Sequence, residues 1–164
     1  MTADNIDKLL FQNHSKDDGE PYRGDYLEIY KLYVTSADNV SSRRHVANSF
    51  FLTLNTALLA FLGITKPMLT QYSSQLPLIL PLGGILLCYT WFRLIQSYKG
   101  LNSAKFEVIH AIEKHLPIAP FFAEWQMVKK GKNKKKYTPF THVEVYVPWV
   151  FVLIYVFSAL LTVL

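Results

Sequence analysis

The sequence predicts an all-α integral membrane protein: a transmembrane helical hairpin with a long cytoplasmic helical extension, plus a third, C-terminal transmembrane helix. Two observations lead there. Residues 46–65, 67–92 and 145–164 carry no Asp, Glu, Lys or Arg, and about 20 residues at about 1.5 Å each span a hydrocarbon core about 30 Å thick. The 17 Lys and Arg are also segregated: six precede residue 46, one is Lys66, and ten lie between Arg93 and Lys136. A soluble helix of that length shows charge on its wet face, and these runs are apolar all round.

The length of 164 residues suits a single helical membrane domain over residues 25–164, preceded by a polar acidic arm over 1–24. The arm contains Asp17-Asp18-Gly19-Glu20-Pro21, with a short turn of helix expected at Ile6–Phe11. It does not read as a secretory leader, so insertion is expected to rely on the spans themselves.

From Asp25 an amphipathic pattern begins. Tyr26, Ile29, Tyr30, Tyr33, Val34, Ala37 and Val40 form one tyrosine-rich helical stripe, while Glu28, Lys31, Thr35 and Asp38 occupy the other face. The stripe is expected to pack on neighbouring helices, the alternative being a helix lying flat in the lipid interface. Arg43-Arg44-His45 then precede the first span, 46–65, which Gly63, Lys66 and Pro67 should end. Inside it Asn48, Ser49, Thr53, Asn55 and Thr56 are polar for a lipid-facing helix, and Asn48 and Asn55, seven apart, share a face. Such groups want partners in lipid, which points to a helix–helix interface, with a water-lined pathway as the sharper alternative.

The linker from Lys66 to Gln75 leads into the second span, 76–97. Pro77 and Pro81 fall near its start, where a missing N–H is tolerated, and Gly83-Gly84 allow another helix to approach. Cys88, the only cysteine, is read as a small apolar residue. Beyond the aromatic exit at Trp91 and the cation Arg93 the helical pattern continues through Leu94, Tyr98, Leu101, Lys105, Val108 and Ile112 until Leu116-Pro117. A helix of about 39 residues, close to 60 Å, is expected, its second half outside the membrane and covered by the tyrosine stripe.

Pro120 should start an aromatic helical turn containing Phe121, Glu124 and Trp125. Lys129, Lys130, Lys132, Lys134, Lys135 and Lys136 follow as a solvated run suited to anionic headgroups, worth about 1 kcal/mol per lysine near a membrane surface. A nucleic-acid partner is not expected from this run. Thr141 and Glu144 fit a capping box opening the third span, 145–164, which Pro148 should kink. The cation bias places the N-terminus and residues 25–45 and 98–144 in the cytoplasm, with 66–75 and the C-terminus outside.

No catalytic constellation is visible. His14, His45, His110, His115 and His142 show no zinc spacing, and Glu107-x-x-His110 lacks the second half that a di-iron site needs. No phosphate loop or nucleophile elbow is present in the sequence. The expectation is therefore no enzyme, no cofactor and no metal.

Three motifs carry a family resemblance. The stretch Tyr30-x-x-Tyr33-x-x-x-Ala37-Asp38-x-x-Ser41-x-Arg43-Arg44-x-x-Ala47-Asn48-Ser49-Phe50-Phe51-Leu52-Thr53-Leu54-Asn55-Thr56 resembles the RipA-type small bacterial membrane proteins, described as octameric. Trp91-x-Arg93-x-Ile95-x-Ser97-Tyr98-x-x-Leu101-Asn102-x-x-Lys105-Phe106 and Leu116-Pro117-x-x-Pro120-Phe121-x-x-Glu124-Trp125 support it. A looser similarity is to the two-transmembrane SLATT effectors of bacterial conflict systems, from whose plan the third span departs. The RipA-like resemblance implies a homo-oligomer of the bacterial inner membrane and implies no chemistry; together with the long second helix and the tyrosine stripe, it leads to the expectation of a ring of eight with a cytoplasmic collar and no catalysis. On that reading Asn48, Ser49, Thr53, Asn55 and Thr56 face neighbours or a pore, and Arg43, Arg44, Arg93, Asn102 and Lys105 cluster at its inner mouth. An anchored adaptor is the alternative, docking a cytoplasmic protein through Phe121, Glu124 and Trp125.

Overall fold

The computed structural model describes residues 3–10, 22–69, 71, 78–128 and 143–163. Most of these residues are helical: α1 (Ala3–Leu10), α2 (Tyr22–Leu69), α3 (Ile79–Glu113), α4 (Pro120–Met127) and α5 (Tyr146–Val163). The 48-residue α2 and the 35-residue α3 are each long and apolar enough to cross a membrane, and α5 is a shorter apolar helix of 18 residues. α2 runs unbroken from the tyrosine stripe into the first apolar run, so the stripe is not a separate helix.

Several boundaries differ from the sequence expectation, each for a local reason. α2 continues past Gly63, Lys66 and Pro67 to Leu69. So close to the end, a proline removes one bond of the last turn without stopping the helix. α3 is described from Ile79, Leu76 lying outside the described residues, and ends at Glu113, where a turn leads to Leu116-Pro117. The chain turns at Val145 and α5 starts at Tyr146, so Pro148 is its third residue. There the absent N–H costs nothing, and no kink is required. Pro77 and Thr141, and with Thr141 the proposed capping box, lie outside the described residues.

The chain divides into two compact units. The first contains residues 1–42 and 99–139. In it the N-terminal part of α2 packs on the C-terminal part of α3 around buried Ala37, Ile109, Ala111 and Ile112. Burial of an isoleucine from water contributes about 1.5–3 kcal/mol, and that drives this packing. Lys105 fixes the pairing, donating to Ser36 Oγ at 2.7 Å and lying 5.3 Å over the Tyr33 ring.

The second unit contains residues 43–98 and 140–164, three apolar helical segments around Leu62, Cys88, Trp91, Ile95 and Tyr155. Phe61, Ile64, Leu86, Leu153 and Phe157 are each more than half exposed. Such a surface is a liability in water and is satisfied by lipid tails. Against lipid, burial supplies little driving force, so close packing and hydrogen bonds must hold the segments together.

Candidate functional site: an inward polar joint and an outward seam

The second unit is joined by one asparagine. Asn55 is fully buried, and its Nδ2 donates to Phe51 O at 2.8 Å. Its Oδ1 accepts the Cys88 thiol of α3 at 3.2 Å and the Tyr155 hydroxyl of α5 at 3.1 Å. Thus α2, α3 and α5 meet on one oxygen. Gly84 makes room for this contact: a Cβ there would stand 2.6 Å from Tyr155 Cε1. Two turns back on the same face, Asn48 Oδ1 accepts the Trp91 indole N–H at 2.9 Å, and Trp91 stacks on Phe51 and tilts against Phe151. Lys66 closes the far end, donating to Ser158 O at 3.3 Å, where a cation suits the last turn of α5.

The polar set expected on the first span therefore divides. Asn48 turns toward α3, and Asn55 toward α3 and α5. The physical reason is their seven-residue spacing: one face can serve only one surface, and the intramolecular helices occupy it. Asn55 consequently faces neither a neighbouring copy nor a pore. Ser49, Thr53 and Thr56 remain exposed, as do Ala60 and Gly63 further along. These five recur at intervals of four, three, four and three, the spacing of a helix–helix seam. Thr56 Oγ1 bonds back to Leu52 O at 2.8 Å, so its hydroxyl needs no outside partner. Nothing lies within 4 Å of a Cβ built at Gly63.

The inner-mouth residues are divided between the two units. In the second unit Arg43 and Arg93 are exposed, while Arg44 Nε pairs with Glu144 at 3.6 Å, both side chains largely buried. In the first unit Lys105 is held by Ser36, and Asn102 is half-buried. Lys129–Lys136 lie outside the described residues.

The first unit contains a joint that the sequence reading missed. Glu113 is 1% exposed. Its Oε1 accepts the Tyr30 hydroxyl and the Phe121 N–H, both at 2.9 Å, and its Oε2 accepts the Phe122 N–H at 2.8 Å. One carboxylate thus caps the start of α4 from another helix, where a negative charge meets the positive end of the dipole. Burial, the hydrogen bond to Glu113 and its charge push the Tyr30 hydroxyl up to about 12. Phe121 turns inward against Tyr30 and Phe106, whereas Glu124 and Trp125 are exposed. A Glu at the end of a helical stripe, seven residues before a proline-started turn, was the only available signal for this cap.

Beside the joint lies a cavity of about 550 Å³, lined by Ile6, Ala111, Ala119 and Phe122, with Glu107, His110 and Lys114 among its polar groups. Lys114 pairs with Asp7 of α1 at 2.7 Å. Among the described residues no three His, Cys, Asp or Glu side chains come together as a metal would need.

Long apolar helices stitched by buried side-chain hydrogen bonds, with their large apolar residues facing out, define an all-α membrane protein. The octameric membrane protein family (8xMP) model matches residues 27–164. The chain belongs to that family, and the match covers everything except the acidic arm and the first residues of the stripe. It agrees with the RipA-like resemblance read from the three motifs. No curated protein and no solved structure matches the chain. Family membership makes the protein a self-associating membrane protein.

Proposed function

We propose that the protein is a closed ring of eight copies in the bacterial inner membrane. Its α2 seam faces the neighbouring copy, and its cytoplasmic helices form a collar without catalytic chemistry. The observation that carries this reading is the seam itself: Ser49, Thr53, Thr56, Ala60 and Gly63 are exposed on one side of α2. Small residues there let backbones approach, and in lipid such packing is what associates helices. The self-satisfied Thr56 hydroxyl favours contact with a neighbouring helix over a water-lined wall.

The chain is multi-pass on this reading, with the N-terminus and residues 98–144 inside. The support is ten Lys and Arg between Arg93 and Lys136 against one, Lys66, between the first two uncharged runs. Lys129–Lys136 rest against anionic lipid headgroups. The adaptor reading is favoured by one feature, the exposed Glu124 and Trp125 of α4.

The test is the double variant Thr56→Leu, Ala60→Leu, which fills the seam without adding charge. Native mass spectrometry in nanodiscs is expected to find the complex broken into smaller species, with far-UV circular dichroism unchanged. An intact octamer of the variant would overturn the seam. Ion flux through liposomes holding the wild-type octamer separates a conducting ring from a scaffolding one.

A further inference from the structure

α4 is built in an unusual way for a short helix. It has eight residues and none of them is fully buried, so alone it would not be stable in water. Besides the ring contacts of Phe121 with Tyr30 and Phe106, the buried Glu113 carboxylate holds it, through the two N–H groups of Phe121 and Phe122. Burying a carboxylate is costly unless it is well bonded, and what this clamp achieves is orientation. Phe121 faces in; Phe122 and Trp125, three apart on α4, are 47% and 38% exposed, and Ile118, two residues ahead of the helix, is 73% exposed. The cavity of about 550 Å³ opens beside Phe122, between Ala111, Ala119 and Ile6.

The same unit carries a second outward apolar feature. Ile29 and Leu32, one turn apart on α2, are 45% and 69% exposed. Leu32 is two residues from Tyr30, which faces the joint, and two residues turn a helix by about 200°. It therefore projects from the opposite side of α2.

A closed ring demands this pairing. Every subunit of a ring larger than a dimer meets its neighbours through two different surfaces, a receiving one and an inserting one. We infer that the cavity and the exposed side chains of Ile118, Phe122 and Trp125 receive Ile29 and Leu32 of a second copy of this chain. The inference rests on the octameric ring proposed above and names where its collar closes. Charge agrees with the choice of occupant. Seven of the twelve acidic residues lie ahead of Ile29, and six lysines follow α4 between Lys129 and Lys136. Opposite net charge ahead of Ile29 and after α4 favours a head-to-tail contact over a like-to-like one.

The experiment uses two full-length single variants, Leu32→Cys and Phe122→Cys, carrying different tags and co-expressed. The native Cys88 is buried and is left in place. Mild oxidation of the membranes is expected to give a covalent dimer carrying both tags, at twice the 18.9 kDa chain mass. Each variant expressed alone is expected to stay monomeric on the denaturing gel. Dimers from either variant alone would show a two-fold contact and overturn the head-to-tail pairing. An octameric mass without the mixed-tag dimer would overturn the inference while leaving the ring intact. That result, with a cytoplasmic protein protecting Phe122→Cys from maleimide, would assign the surface to another partner. Absence of any octamer would remove both the ring and its collar contact.

Discussion

Asn55 shows how one side chain in a charge-free helix is used when water is absent. It gives its amide hydrogen to its own helix and its oxygen to two others, so every polar atom near it has a partner. Interhelical hydrogen bonds in lipid contribute about 0.6 kcal/mol each and at most about 1.7. Losing them while stranding the Tyr155 hydroxyl and the Cys88 thiol costs more than the bonds themselves. Asn55→Leu should therefore destabilise the protein by about 1–3 kcal/mol, seen as a lower thermal midpoint in detergent. An unchanged midpoint would mean that the three helices are held by packing alone. The partner residues were hard to read in advance. Asn55 and Gly84 stood out in the sequence as a polar group and a small residue, but only the fold shows that Tyr155, inside a run of apolar residues, is what reaches both. Cys88 likewise read as a space-filler, and it is also a donor.

At the scale of elements, the helices were legible because their signals are long. Three uncharged runs, a tyrosine stripe and a proline-started turn each extend over at least two turns of helix. What the pattern could not carry was which face of each helix finds an intramolecular partner. Asn48 and Ser49 are adjacent in sequence, yet Asn48 meets Trp91 and Ser49 is exposed. The Glu113 joint was invisible for a related reason, since two of its three partners are backbone N–H groups that no side-chain pattern marks. It has a testable consequence. Tyr30 is raised from 10 to about 12 by burial and by the hydrogen bond to Glu113. A raised tyrosine favours the neutral form in the folded state, so its contribution is complete below pH 10 and is lost as pH rises through about 12. The first unit should hold its near-ultraviolet circular dichroism up to about pH 10 and lose part of it between there and about pH 12. Tyr30→Phe should flatten that interval. A wild type and a Tyr30→Phe variant with the same alkaline profile would contradict the assignment.

For the molecule as a whole, membrane residence and self-association follow from composition and family rather than from any one site. The apolar runs must be covered, lipid and neighbouring copies are the available cover, and the family is octameric. That level was readable from segregated charge and three motifs, because lipid constrains a chain more severely than water does. The interface was only half readable: the set Asn48, Ser49, Thr53, Asn55 and Thr56 contains both the inward face and the outward one. Native mass spectrometry of the wild-type complex in nanodiscs tests the central claim most directly. The account predicts one species of eight chains, eight times 18.9 kDa. A monomer or a dimer as the largest species would contradict it, since neither can close a ring along the α2 seam.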